Sequence, residues 1–354
     1  MSTANLDVAD LAAALAEPGL VREDVVDQIY NLDEGIPTPL TDMVGGGSFT
    51  NLYSEWTENN LTAPDIDNAV VDGSDASGND TKIGTRVGNR AQLSDKVVRI
   101  STASQNVDSI GSVGKLAYQV SQRMMDLRRD IEAIACGRQA SVADNGSTIA
   151  GRTAGLGAWL VTNTIFGTTG AAGGFDSGTK IVDAPTAGEA QALSWDDVRT
   201  VIEGIYNGGG NPSVLMSVPA VVKGINSFLF SDTGKPFRAD PVSNVQGGSP
   251  ATQTAQGFIS VVLSDFGITL SLVDNRLQQT YGSADIGPIQ VADVFLIDPA
   301  YFAIASLYGY DQTMLGNTGH SENRLLSNNW MTKCFREDAH GMVSDVDPSV
   351  AVVA

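Results

Sequence analysis

Apolar side chains recur at steps of three and four along Val113, Leu116, Ala117, Val120, Met124, Leu127, Ile131 and Ile134. That spacing places one stripe on one side of an α-helix and predicts a helix over about 110–138, with Gly137 as its stop. Arg123, Arg128, Arg129 and Glu132 fill the remaining positions, and Arg128 and Glu132 stand at i, i+4, where opposite charges pair.

Upstream of this helix the period changes. Phe49–Trp56 favours a strand with Thr50, Leu52, Ser54 and Trp56 on one face, and Ala91–Thr102, rich in Val97, Val98 and Ile100, a second. Between them lies a polar stretch, about 59–90, that carries Asp65, Asp67, Asp72, Asp75 and Asp80 and has no helical period. These pieces are expected to form one long hairpin arm with a wide tip. Short helices are expected over Val8–Ala16, stopped by Pro18-Gly19, and over Arg22–Tyr30. Pro37 and Pro39 then imply an extended segment through Leu40, with Gly45-Gly46-Gly47 as a hinge.

Downstream, Asp144–Gly178 is rich in Gly, Thr and Ala and reads as irregular. A second domain is expected from about Ser194, which can cap a helix through Tyr206 with Asp197 at its third position. Val214–Val218 reads as a strand, Pro219 opens a helix toward Phe230, and Phe258–Leu263, Ile268–Val273 and Val294–Ile297 read as further strands. The tail Asn329–Arg336 is expected to return as a strand to the first domain. Helices and strands mix without βαβ regularity, so the fold class is α+β. The 354 residues fit two domains at ~150 residues each.

The chemistry of an enzyme is not visible. His320 and His340 are the only histidines, and neither sits in a catalytic pattern; a surface or hydrogen-bonded histidine is expected at each. Gly234-Lys235 fails the phosphate-loop pattern because Leu229 and Pro236 stand where Gly and Ser or Thr are needed. Gly155-x-Gly157 continues to Leu160 where a dinucleotide loop wants a third glycine. Cys136 and Cys334 lack partners at metal-ligand spacing and read as buried thiols. The acids of Asp72–Asp80 lack the EF-hand order and read as a solvated tip. No cofactor and no metal is expected. The first basic residue is Arg22, so no export signal is read at the start; no apolar run reaches the ~20 residues of a membrane span, and no membrane partner is expected.

Charge is unevenly placed. The chain carries a net −20, with charged residues at 18% and glycine at 38 positions; few charges and many glycines leave weakly polar surface suited to protein contact. Residues 1–85 hold 16 acids and two bases, and residues 86–138 hold nine bases and five acids. An acidic arm lying on the basic helix of the next copy would give a head-to-tail contact that closes into rings, the other reading being two solvated faces. Ordering ~40 arm residues costs about 40–80 kcal/mol of chain entropy, and the lower figure needs ~1,600 Å² of apolar burial at ~25 cal/mol per Å². An arm so poor in apolar residues is expected to be ordered only when a neighbour holds it. The candidate contact residues are Glu55, Trp56, Asp65, Asp67, Arg86 and Arg90 on the arm, and Arg123, Arg128 and Arg129 on the helix.

Several segments resemble tailed-phage major head proteins. Val21-Arg22-Glu23-Asp24 through Ile29-Tyr30, Pro37-Thr38-Pro39-Leu40 and the glycine turn at 45–47 resemble that family's N-terminal arm. Asn51, Glu55-Trp56 and Leu61, then Arg86, Asn89, Gln92, Lys96 and Ser101-Thr102, resemble the two sides of its extended loop. Leu116, Tyr118-Gln119 and Leu127-x-Arg129-Asp130-Ile131-Glu132 resemble its spine helix, and Arg152-Thr153-x-Gly155-Leu156 with Trp159-Leu160 the segment after it. The matches span about 20–165. The resemblance implies the Hong Kong 97-type capsid fold: an N-terminal arm over 1–48, an extended loop over 49–104, a peripheral domain over 105–184 and 311–354, and an axial domain over 185–310. It implies self-assembly into pentamers and hexamers of an icosahedral shell in the virion, made in the host cytoplasm. It also implies a portal protein and decoration or scaffolding proteins as partners, and packaged DNA held without sequence-specific binding. About 20 residues precede the arm, so a separate scaffolding protein, or none, is expected. An acidic lining would keep packaged DNA mobile. The competing readings are an encapsulin-like compartment of the same fold and an acidic, calcium-stabilised surface or adhesion protein.

Overall fold

A computed structural model describes residues 29–73, 75, 78, 81–107, 115–229, 259–282, 290–317 and 319–353. The helix expected over Val8–Ala16, most of that over Arg22–Tyr30, Asp80, Val113 and Gly234-Lys235 lie outside the described residues.

The helices are α1 (Pro39–Met43), α2 (Thr102–Asn106), α3 (Leu116–Ala135), α4 (Leu156–Trp159), α5 (Trp195–Asn207) and α6 (Pro219–Leu229). The strands begin with β1 (Gly45–Ser48), β2 (Tyr53–Glu58), β3 (Thr85–Arg90), β4 (Gln92–Ser101), β5 (Thr164–Ile165), β6 (Gly174–Asp176), β7 (Ile181–Asp183) and β8 (Val214–Ser217). They continue with β9 (Val261–Leu263), β10 (Thr269–Asp274), β11 (Tyr281–Gly282), β12 (Gln290–Ile297), β13 (Phe302–Met314), β14 (Ser321–Cys334) and β15 (Gly341–Val346).

Two sheets organise the molecule. One runs β1-β13-β14-β4, and the other β5-β15-β12-β8-β10-β9 with β11 beside β12. Strand β12 is buried along Val291–Ile297, as a central strand covered on both faces must be. One face packs against α5 and α6 through Val198, Ile202, Ile205, Val222 and Ile225. The other packs against the end of α3 and α4 through Phe295, Ile131, Trp159 and Met342. Trp330 and Phe302 of the four-stranded sheet join this second cluster, so the two sheets share one core.

The expected spine helix forms as α3, but its stripe is used unevenly. Leu127, Ile131 and Ala135 are buried, whereas Leu116, Ala117, Val120, Met124 and Met125 line an open groove. Gly155 lies against the helix end, donating its N–H to the Gln139 carbonyl. A Cβ there would stand 2.2 Å from the Gly137 carbonyl oxygen, so only glycine fits this approach.

Several sequence expectations are corrected. Pro39 does not extend the chain through Leu40; it opens α1 as the first residue of the helix, where its missing N–H costs nothing. The 45–47 glycines form β1, in parallel register with Ala303–Ala305, instead of a free hinge. The arm is not one hairpin. β2 pairs with β3, and at Ala91 the chain turns into β4, which pairs with β14 along Gln92–Ser101. The return of Asn329–Arg336 to the first sheet is found, within a strand that starts at Ser321. Segment 144–178, read as irregular, contains α4, β5 and β6. Strands β13 and β15 were not expected, and β15, within 311–354, joins the seven-stranded sheet beside β12. His340 is buried, with Nδ1 accepting the Asp298 N–H at 3.2 Å, and His320 is exposed. Both cysteines are buried free thiols.

Candidate assembly interface

Strands β2 and β3 form the root of the excursion, and the root is fastened to its own body. The ring centroids of Trp56 and Trp159 lie 5.6 Å apart, those of Trp56 and Phe335 6.1 Å, and Trp159 stacks on Phe175 at 6.4 Å. Glu55 pairs with Arg86 at 2.6 Å and with Lys180 at 3.6 Å. The Arg90 guanidinium lies 5.0 Å over the Tyr53 ring. Between them Asn89, fully buried, donates to Thr153 Oγ1 at 3.0 Å and to the Thr332 carbonyl at 2.8 Å.

Four candidate contact residues, Glu55, Trp56, Arg86 and Arg90, are therefore engaged within the chain. The expected need for a neighbour over Phe49–Thr102 is corrected accordingly. Phe49 is buried with Ala91, Ala305 and Met331, and β4 belongs to a sheet. The part exposed at every described position is residues 59–83.

Those residues contain no helix or strand among the described positions. Asp65 and Asp67 are exposed, and Asp65 Oδ1 accepts the Asp67 N–H at 3.0 Å. Apolar side chains here are bare: Leu61 is 95% exposed, Ile66 94%, Val70 85%, Val71 79% and Ile83 98%. Five such side chains in one short stretch exceed the scattered single exposures usual on a monomer's surface. The five were visible as letters in the sequence, but the aspartates around them drew the reading.

The basic helix carries an open apolar groove. The groove of Leu116, Ala117, Val120, Met124 and Met125 has a volume of about 600 Å³. Arg123, paired with Asp126 on the same helix, lines a separate depression with Val97 and Ile100 of β4. Arg128 pairs with Asp42 of α1, not with Glu132, and Arg129 is half-buried. Glu132 is turned inward to accept the N–H groups of Leu40 and Thr41, both at 2.8 Å, and Asn275 Nδ2 at 2.7 Å.

A second buried cluster joins α3 to the large sheet. Arg138 donates to Asp293 through Nε at 3.0 Å and Nη2 at 2.6 Å, and through Nη2 to Asp345 at 2.9 Å. Asp345 holds φ at +58° and also accepts the Gly188 N–H at 2.9 Å. Among the described residues, no group of three or more His, Cys, Asp or Glu side chains is placed to hold a metal ion, and no helix is long and apolar enough to cross a membrane.

Comparison with known proteins gives this geometry a family. The sequence pattern of the SU10 major capsid protein family matches residues 3–347. The major capsid protein of Escherichia phage Phieco32 is 31% identical over 103 residues, 29% of this chain and 29% of that protein; the match spans under a third of that relative's length. Among solved structures, the capsid of the native GTA particle aligns over 95% of this chain and 98% of its own with a TM-score of 0.57 at 13% identity. A chain from Mycobacterium phage Cain aligns over 98% and 100%, with a TM-score of 0.53 at 10% identity. The SrpI encapsulin of Synechococcus elongatus PCC 7942 aligns over 99% and 98%, with a TM-score of 0.52 at 12% identity. At such identities the likeness is one of fold, the Hong Kong 97 type. The chain belongs to the SU10 major capsid protein family, as a structural protein of a capsid.

Proposed function

We propose that this chain builds an icosahedral phage head from pentamers and hexamers around double-stranded DNA, and that residues 59–84 of each copy lie on helix α3 of the next. The supporting observation is the presence of two incomplete surfaces on one chain: Leu61, Ile66, Val70, Val71 and Ile83, bare beside aspartates, and the open apolar groove on α3, with Arg123 in a second depression on the same helix. Magnitudes divide the labour. Each apolar side chain removed from water contributes about 1.5–3 kcal/mol, whereas an exposed ion pair contributes about 0.2–1 kcal/mol. Apolar burial therefore holds the contact, and charge steers the encounter and sets its register. Asp65 and Asp67 would meet Arg123 and Arg129 of the neighbour. Glu55, Trp56, Arg86, Arg90 and Arg128 would act from behind, by fixing the root of the excursion and the helix. In this reading residues 1–48 are an arm, 49–104 the extended loop, 105–184 and 311–354 a peripheral domain, and 185–310 an axial domain. Host-cytoplasmic synthesis, a portal protein, scaffolding or decoration proteins, and DNA held without sequence readout complete the proposal.

Static light scattering of the full chain tests it. Asp65→Lys with Asp67→Lys should slow growth to megadalton particles by about tenfold or more, and adding Arg123→Glu with Arg129→Glu should restore part of the rate. Assembly of the first variant at the wild-type rate would overturn the assignment. The fold likeness to an encapsulin supports a second reading, a compartment around protein cargo. Nuclease-protected DNA inside purified particles distinguishes the two.

A further inference from the structure

The sequence holds two Asn-Gly pairs, Asn145-Gly146 and Asn207-Gly208, and both asparagines are exposed. Glycine after asparagine leaves the peptide nitrogen unshielded by a Cβ, and that nitrogen can close a five-membered ring on the side-chain amide carbon. The two pairs sit in different surroundings. Asn207 is the last residue of α5, and the Gly208 N–H is held in the helix by the Gly204 carbonyl at 3.0 Å. Asn145 lies in a closed loop, pinned at its base where Val142 and Arg152 exchange two backbone hydrogen bonds of 3.0 Å.

Within this loop each atom of the ring-closing reaction has a partner. The Gly146 nitrogen is the nucleophile, and its N–H donates to Asp144 Oδ1 at 2.7 Å. Negative charge would develop on Asn145 Oδ1, which accepts the N–H groups of Ser147 at 3.0 Å, Thr148 at 2.9 Å and Ile149 at 2.8 Å. The leaving group is Asn145 Nδ2, 3.1 Å from the Thr148 hydroxyl oxygen. Three donors converging on one oxygen have the form of an oxyanion hole. A carboxylate on the nucleophile's proton has the form of a general base.

We propose that Asn145-Gly146 is a self-modifying site, at which the folded loop converts Asn145 to aspartate or isoaspartate. Asp144 takes the Gly146 proton, the nitrogen bonds to Asn145 Cγ, and the three N–H groups hold the charge on Oδ1. The bond from Cγ to Nδ2 then breaks. The Thr148 hydroxyl gives its proton to the departing nitrogen and regains the one on Asp144 through solvent, so ammonia leaves and a succinimide remains. Water opens the ring at either carbonyl. The chemistry needs only the folded subunit and water, it runs one way, and it places a second carboxylate beside Asp144.

Peptide mapping by mass spectrometry tests this on the full chain at neutral pH, folded and unfolded in guanidinium. Asn145 should convert about tenfold or more faster in the folded chain than in the unfolded one, while Asn207 should convert more slowly when folded. Asp144→Asn should slow conversion of Asn145 by about tenfold or more and leave Asn207 unchanged; Asn207 also reports whether the variant is folded. If the three N–H groups only lock the amide in place, Asn145 will convert more slowly folded than unfolded. That result, equal rates in the two states, or an unchanged Asn145 rate in folded Asp144→Asn would overturn the proposal. If the variant fails to fold, the folded-to-unfolded ratio of the wild type decides alone.

Discussion

The Glu132 carboxylate accepts the backbone N–H of Leu40 at 2.8 Å, across 92 positions of chain. Leu40 and Thr41 lie in the first turn of α1, where backbone N–H groups have no partner within the helix. Glu132, fully buried in α3, supplies both acceptors from another element and favours the positive end of the short helix. The carboxylate also takes Asn275 Nδ2, so one side chain ties α1, α3 and the end of β10 in the large sheet together.

Glu132→Ala should therefore destabilise the subunit by about 3 kcal/mol or more, because it leaves several buried donors unpaired. The midpoint of urea unfolding should fall accordingly. Glu132→Gln, which keeps one oxygen acceptor, should fall between the variant and the wild type.

Arg138 faces two buried carboxylates, Asp293 and Asp345. Arg138→Met should cost about 3–5 kcal/mol, since removing one partner strands the opposite charges away from water. Arg138→Lys should recover only part of this, because an ammonium cannot span Asp293 in two-pronged fashion and reach Asp345 as well. Thermal unfolding of the three proteins checks the order.

Burial holds His340 down to about 4. The unfolded chain takes up a proton near 6.5 that the folded chain refuses, so this histidine's stabilising contribution is full above 6.5 and is lost as pH falls toward 4. The window is worth about 3 kcal/mol at 1.36 kcal/mol per pKa unit. Burial pushes the Glu58 carboxyl up to about 7, which acts in the opposite direction over an overlapping range, so the difference between variants carries the test. The stability gap between wild type and His340→Gln should shrink steadily from pH 7 to pH 4.5 in urea titrations.

Gly155→Ala should destabilise by about 3 kcal/mol through overpacking, because the added methyl meets the Gly137 carbonyl at the end of α3. Chemical unfolding measures it, with Gly316→Ala in an exposed loop as a comparison that meets no atom.

The periodic elements were readable. Helices α3, α5 and α6 and strands β4, β8, β10 and β12 carry apolar spacing that neighbours reinforce. Strand β13 was not, because Leu307–Met314 is exposed on both faces and its alternation means nothing. Strand β15 hides a buried Asp345 with positive φ, which reads as a turn. The pairing of β4 with β14 joins residues more than 200 positions apart, and nothing local in either strand specifies it. Glu132 looked like a surface partner for Arg128, since a charged letter cannot disclose orphaned N–H groups elsewhere in the chain. The acidic excursion and the basic helix were legible as surfaces. That Glu55, Trp56, Arg86 and Arg90 serve the root was not, because Lys180, Trp159, Phe335 and Tyr53 had to be placed first.

The central claim is that residues 59–84 gain their order from an adjoining copy. Amide exchange over residues 60–73, compared between dispersed subunits and assembled shells, tests it most directly. The account predicts exchange near unfolded rates in the subunit and at least about a hundredfold slower exchange in the shell. Strong protection in the lone subunit, or none in the shell, would contradict it.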